Sequence, residues 1–129
     1  MSILLRLELE GLPPSVNQMY RTGRSGTRYK RPEVSDWQSE TSMLMREAWS
    51  KDRAYVEPVE VHVQFTVGNN RRWDVDNRLK ALLDCLELGG VIEDDSQIWG
   101  ILALRVPGER SGTRIEMREY TGMRRKSQE

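Results

Sequence analysis

The sequence is poor in the residues that build preformed metal and disulfide sites. It has one cysteine, Cys85, and one histidine, His62, in 129 residues. One cysteine excludes an internal disulfide framework and a cysteine zinc cluster, and one histidine excludes multi-histidine metal sites. Any catalytic metal would have to be held by carboxylates. No apolar run approaches ~20 residues, so a membrane span is not expected. The start, MSILLRLELE, carries acids within its apolar run and has no small-residue cleavage site. It does not read as a secretory signal, and the expected location is the cytoplasm. Net charge is also missing: 20 basic and 20 acidic residues cancel, so the usual signature of a strongly basic nucleic-acid-binding domain is absent.

The cancellation hides a segregation. Residues 11–32 hold five bases (Arg21, Arg24, Arg28, Lys30 and Arg31) and no acid. Residues 74–95 hold seven acids against Arg78 and Lys80, and residues 96–129 hold seven bases and four acids. Basic flanks around an acidic centre can track a phosphate backbone while gathering carboxylates at one point. Solvated, charged loops would give the same pattern.

The length suits one domain, expected over residues 1–120 with a flexible tail at 121–129. Alternation of Ile3, Leu5, Leu7 and Leu9 with Leu4, Arg6, Glu8 and Glu10 predicts a half-buried strand. Residues 11–32, broken by Pro13, Pro14, Gly23, Gly26 and Pro32, read as a long loop. Helical spacing of Val34, Trp37, Leu44, Met45 and Ala48 predicts a helix over 33–52. Val59, Val61, Val63, Phe65 and Val67 alternate with polar residues and mark a second strand. Leu79, Leu82, Leu83 and Leu86 share one face of a helix over 76–88, which Gly89 and Gly90 stop. Residues 98–106 are almost continuously apolar and read as a buried strand. Residues 114–120 form a weaker one, paired with it as a hairpin. The fold class is therefore α/β, an α+β sandwich in the order β-α-β-α-β-β, with two helices packed on a mixed four-stranded sheet.

Chemistry concentrates in the segment RRWDVDNRLK, between the second strand and the second helix. Asp74 and Asp76, two residues apart, fall on the same side of an extended lead-in and can converge at the helix start. A helix N-terminus favours negative charge there. Lys80 lies one turn beyond Asp76 on the same face. Glu93, Asp94 and Asp95 form a second acidic group just past the helix. If strand and helix pack to bring it to Asp74 and Asp76, three carboxylates offer the oxygen ligands that Mg²⁺, or Mn²⁺ in its place, prefers. Such an ion activates water for phosphodiester displacement, and a nearby lysine can stabilise developing charge. Helix capping by one aspartate and a solvated acidic turn is the plainer alternative, but capping accounts for one carboxylate rather than two plus a triplet.

These residues resemble the core of the RusA-type Holliday junction resolvases, the crossover junction endodeoxyribonucleases. That family carries an R-x-D-x-D-N-x-x-K motif, matched from Arg72 to Lys80, then a helix and a G-x-x-x-D-D segment, matched at Asp94 and Asp95. The run LPPSVN, ending at Asn17, resembles its P-P-S-x-N loop. The resemblance implies a Mg²⁺-dependent homodimeric endonuclease that cuts four-way DNA junctions by paired nicks, often carried by prophages. It implies Asp74, Asp76 and Asp95 as metal ligands, with Asp94 as the alternative to Asp95, and Lys80 as a catalytic aid. For DNA contact the candidates are Asn17, Tyr20, Arg21, Arg24, Arg28, Lys30, Arg31, Arg71, Arg72 and Asn77. A non-catalytic nucleic-acid-binding protein, or a nuclease for flaps or other branched substrates, is compatible with the same residues. His62 reads as a surface residue and Cys85 as packing. Trp37, Trp49 and Trp99 read as core or dimer contacts, and Trp73 as a residue facing DNA.

Overall fold

A computed structural model describes residues 3–68 and 73–122. Arg71, Arg72 and the expected tail beyond Gly122 lie outside the described residues. The order is β1 (Ile3–Glu10), α1 (Val16–Met19), β2 (Tyr20–Thr22), β3 (Arg28–Lys30), α2 (Pro32–Trp49), β4 (Val59–Val67), α3 (Asp76–Leu88), β5 (Ile98–Pro107) and β6 (Gly112–Glu119). A short 3-10 turn, Asp95–Gln97, precedes β5.

Two helices lie against a mixed four-stranded sheet in the order β1-β6-β4-β5. Valine alternation drives β4: Val59, Val61, Val63, Phe65 and Val67 are all buried, at 5% exposure or less. They form the core with Leu82, Cys85 and Leu86 of α3, Met45 and Trp49 of α2, and Ile115 and Met117 of β6. The opposite sheet face is polar around β6. Arg6 and Arg118 both donate to the Glu116 carboxylate, at 2.8 and 2.7 Å.

The leucine stripe sets α3 over the residues expected. Gly89 after it is a point of close approach, because a Cβ there would come within 2.6 Å of the Ser42 carbonyl oxygen on α2. The helix α2 starts with Pro32 at its first turn and ends at Ser50, whose φ is 54°. Its last helical residue, Trp49, is three short of the predicted end, since the left-handed Ser50 closes the helix before Asp52.

Three expectations need correction. Residues 11–32 are not one loop, because Met19 is fully buried against Val34 and Ala81 and anchors a hairpin of β2 and β3. The last two strands are not a hairpin either. β5 runs parallel to β4 on one side, and β6 runs antiparallel to it on the other. Their connection crosses the end of β4, where a Cβ on Gly68 would lie 3.1 Å from the Glu109 carbonyl oxygen. β5 is also no buried strand. It is a sheet edge with Trp99, Ile101, Leu102 and Leu104 exposed.

Candidate active site

After residues 69–72, which lie outside the described ones, the chain enters α3 through Asp74, Val75 and Asp76. Trp73 fixes this lead-in. Its ring packs edge-on against Phe65 at 4.9 Å, and the guanidinium groups of Arg78 and Arg105 lie over it at 5.3 and 6.0 Å. The indole is thus partly buried in the core rather than turned to DNA. Val75 occupies the capping position of α3 and gives no side-chain cap, so neither aspartate serves as the N-cap. Both carboxylates are exposed. The Asn77 side-chain amide donates to Asp74 Oδ2 at 3.0 Å, so Asn77 holds an acidic side chain. Lys80 is exposed, with its ammonium 3.6 Å from Asp84 Oδ2, one turn further along α3. Asp76 begins the helix, where the free N–H groups favour its charge.

The second acidic group has its own scaffold. Gln97 Oε1 accepts from the backbone N–H groups of Glu93 and Asp94, at 2.8 and 3.0 Å. Its Nε2 donates to the carbonyls of Tyr55 and Glu57. Asp94 Oδ2 accepts from the Ser96 N–H at 2.9 Å, completing a capping box with Gln97. Hydrogen bonds from Ser96, side chain first and then backbone, hold the Asp94 carboxyl below its ordinary range. The carboxylates of Glu87, Asp94 and Asp95 lie within 4.8 Å of one another, all exposed. Glu87 Oε1 also accepts the Asp95 N–H, at 3.1 Å.

The two acidic groups do not converge within one chain. Asp76 opens α3 and Glu87 nearly closes it, which separates them by about 16 Å at ~1.5 Å per residue. The sheet register says the same: Ile98, just after Asp95, pairs with Val59, whereas the lead-in to Asp74 follows Val67, paired with Pro107. A βαβ crossover carries the chain back along the strand, so its two turns necessarily lie at opposite sheet ends.

Against known proteins, residues 10–118 match the family Endodeoxyribonuclease RusA. The chain belongs to the RusA family. It is 35% identical over 111 residues to the crossover junction endodeoxyribonuclease of Enterobacteria phage HK97, covering 80% of this chain and 87% of the relative. It is 28% identical over 117 residues to the RusA of Aquifex aeolicus, covering 90% and 92%. It is 29% identical over 105 residues to the RusA of Escherichia coli strain K12, covering 81% and 85%.

The proline loop of this RusA-family chain sits beside the first acidic group. Arg78 Nη1 donates to the Pro13 carbonyl at 2.7 Å, tying the loop to the start of α3. Pro14, Arg31, Glu33, Trp37 and Arg78 line a cleft of about 390 Å³ there. Asn17 is exposed on α1. Arg21, Arg24 and Arg28 are exposed on the β2–β3 hairpin, which turns at Gly26 with φ 83°. The guanidinium of Arg28 covers the Tyr20 ring at 4.4 Å, while Tyr29 is exposed. Lys30 is drawn inward, donating to Gln38 Oε1 at 2.7 Å; Gln38 in turn donates to the Ala81 carbonyl. Its first role is to fasten the hairpin to α2 and α3.

Arg78, Glu87 and Gln97 were not picked out by sequence reasoning. Gln97 had a signal, since Asp94-x-x-Gln97 is a capping-box spacing. Arg78 and Glu87 had none: the Pro13 partner of Arg78 is 65 residues away, and Glu87 meets Asp95 only through the turn that follows α3. Trp49 is core, donating Nε1–H to the Arg53 carbonyl. Trp37 is partly buried, and Trp99 stands at the surface against Tyr120, ring centroids 5.3 Å apart. His62 pairs with Glu60 at 2.7 Å on the polar sheet face. Cys85 is a packing residue whose thiol burial pushes up to about 12. No described helix is long and apolar enough to cross a membrane.

Proposed function

We propose that this chain is a Mg²⁺-dependent endodeoxyribonuclease that acts as a homodimer in the cytoplasm and cuts four-way DNA junctions by paired nicks. The observation that carries the reading is the uncapped Asp74–Asp76 pair at the start of α3, in a chain matched to the RusA family over most of its length. The donor set fits a hard divalent cation: exposed carboxylate oxygens, with no thiolate or imidazole nearby to favour a softer one. Asp74 and Asp76 would hold Mg²⁺, with Mn²⁺ as a substitute, and Asp95, at the other end of α3, would join them only from the second subunit of the homodimer. Capping supports Asp95 over Asp94, because the Asp94 carboxylate is already bound to Ser96. When bound, the ion supplies an activated water and neutralises charge at the scissile phosphate.

The chain's own groups do the positioning. Asn77 fixes the rotamer of Asp74, so the ligand is set before DNA arrives. Lys80, one turn from Asp76, presents an ammonium that stabilises charge growing on the phosphate oxygens. The arginines of the β2–β3 hairpin contact backbone phosphates, and exposed Tyr29 offers a ring for unpaired bases at the branch point. Asp74→Asn tests the assignment. Cleavage should disappear while junction binding, followed by gel shift, persists; a variant that cuts at the wild-type rate refutes the site.

A further inference from the structure

The cleft beside the first acidic group is built from unlike parts. Its volume, about 390 Å³, falls among those of ligand sites, ~300–1,000 Å³. Trp37 supplies an aromatic surface, Arg31 and Arg78 supply guanidinium groups, and Glu33 supplies a carboxylate. Its walls are anchored. The Arg31 N–H donates to the Met19 carbonyl at 2.9 Å, and the Arg31 carbonyl accepts from Val34 and Ser35. Trp37 is partly buried against the core. The side chain of Arg31 differs from its backbone. Its Nε is shielded from solvent yet has no hydrogen-bond partner among the described residues. Buried donors are almost always paired, because an unmade bond there is costly. A donor kept from the protein's own acceptors is ready for an acceptor that enters the cleft.

The mixture of groups selects the ligand. Two guanidinium groups alone would suit a bare phosphate, which the Glu33 carboxylate repels. A ligand with an oxygen acceptor for the arginines, a flat ring for Trp37 and an N–H for Glu33 satisfies all of them, and a nucleotide is such a ligand. We infer that the cleft takes one nucleotide of the bound DNA strand, its base unstacked onto Trp37, an oxygen of the nucleotide met by Arg31, and an amino group of the base donated to Glu33. The inference rests on the reading of Asp74 and Asp76 as the site that meets the scissile phosphate. Arg78 follows Asp76 by two residues, about 200° around the helix, so cleft and carboxylates flank the start of α3 across a helix width of ~10–12 Å. A strand that crosses this helix start at the carboxylates brings a nucleotide close to the cut into the cleft. Bases at a branch point are already weakly stacked and cost least to extrude. Thymine fits worst, because its one N–H lies between two carbonyl oxygens that a carboxylate repels, whereas cytosine, adenine and guanine each present an amino group.

The test reads binding rather than cutting, by gel shift in EDTA, with the full chain and synthetic four-way junctions. Each junction carries an abasic site at one of the nucleotides within two of the branch point. Wild type and Trp37→Leu are compared on every one. At one position, loss of the base should weaken wild type by about fivefold or more and leave Trp37→Leu unchanged. Additive losses at every position overturn the cleft as a base site. Trp37 also packs against the core, so a second variant guards against misfolding. Arg31→Met removes the donor that has no partner in the protein. Its melting temperature should match wild type while its junction affinity falls about tenfold; unchanged affinity contradicts the role of Arg31. Thymine at the position found should weaken wild type more than Glu33→Gln, and equal losses would contradict the Glu33 contact. Cleavage of the intact junction with Mg²⁺ separates this inference from the functional reading. A base that couples to Trp37 without any cutting keeps the cleft and sinks the function. Paired nicks with additive losses keep the function and sink the cleft. A chain that binds none of these junctions overturns both.

Discussion

The side-chain amide of Asn77 reaches back three residues to hold Asp74 Oδ2 at 3.0 Å. The contact makes Asn77 a positioning residue for a carboxylate that is otherwise exposed. Removing a partner that orients a metal ligand typically costs 10–100-fold in metal affinity or activity. Asn77→Ala should therefore slow cleavage by roughly that factor and raise the Mg²⁺ concentration needed for half-maximal rate. Junction affinity in EDTA should stay close to wild type. A loss of affinity with an unchanged Mg²⁺ requirement would mean that Asn77 contacts DNA instead.

Arg78 joins elements far apart in sequence, donating to the Pro13 carbonyl and covering the Trp73 ring. A hydrogen bond from a charged group is worth about 1.5–3 kcal/mol. Arg78→Ala should lower stability by about that amount and the melting temperature by several degrees, on the order expected for a domain of this size. Scanning calorimetry measures it directly. An unchanged midpoint would show that the proline loop is held by other contacts.

Glu116 gives a pH dependence that is separate from catalysis. The hydrogen bond from Arg118, and after it the one from Arg6, hold its carboxyl below the usual carboxylate range against the opposing effect of burial. A depressed folded-state value means the group contributes stability above the unfolded carboxylate pKa. That contribution is lost as pH falls through the folded value. Urea midpoints for wild type and Glu116→Gln should differ at neutral pH and converge in acid. A gap that stays constant down to pH ~3 would rule out this linkage.

The β2–β3 hairpin should set the salt response. Arg21, Arg24 and Arg28 are exposed there, and each phosphate contact adds about 0.9 to the slope of log affinity against log salt on duplex arms. Replacing Arg21 and Arg24 with Ala should weaken junction binding and flatten the slope by about two. An unaltered slope would place the phosphate contacts elsewhere.

Local patterns carried most of the fold. The α3 stripe of Leu79, Leu82, Leu83 and Leu86, stopped by Gly89 and Gly90, and the valine alternation of β4 both state their burial in sequence. Partners across the sheet are not stated there. β6 was expected beside β5 because the two are consecutive, yet it inserts between β4 and β1. There Ile115 and Met117 cover the core while Glu116 meets Arg6. β5 looked buried because continuous apolar sequence is the pattern of a strand covered on both faces. The exposed edge has the same pattern, because apolar composition alone does not record whether a strand is covered. The carboxylates show the same limit. Asp74, Asp76 and Asp95 could be singled out by type and spacing, but their separation along α3 follows from the crossover, which no local pattern records.

Junction cleavage decides the reading of this site. The direct measurement is a cleavage assay on a synthetic four-way junction beside a linear duplex and a flap of the same sequence, with Mg²⁺ and with EDTA. Symmetric paired nicks are expected in the junction alone, lost with EDTA and with Asp74→Asn. Binding without cutting in any divalent cation, or cutting of the flap while the junction stays intact, would contradict it.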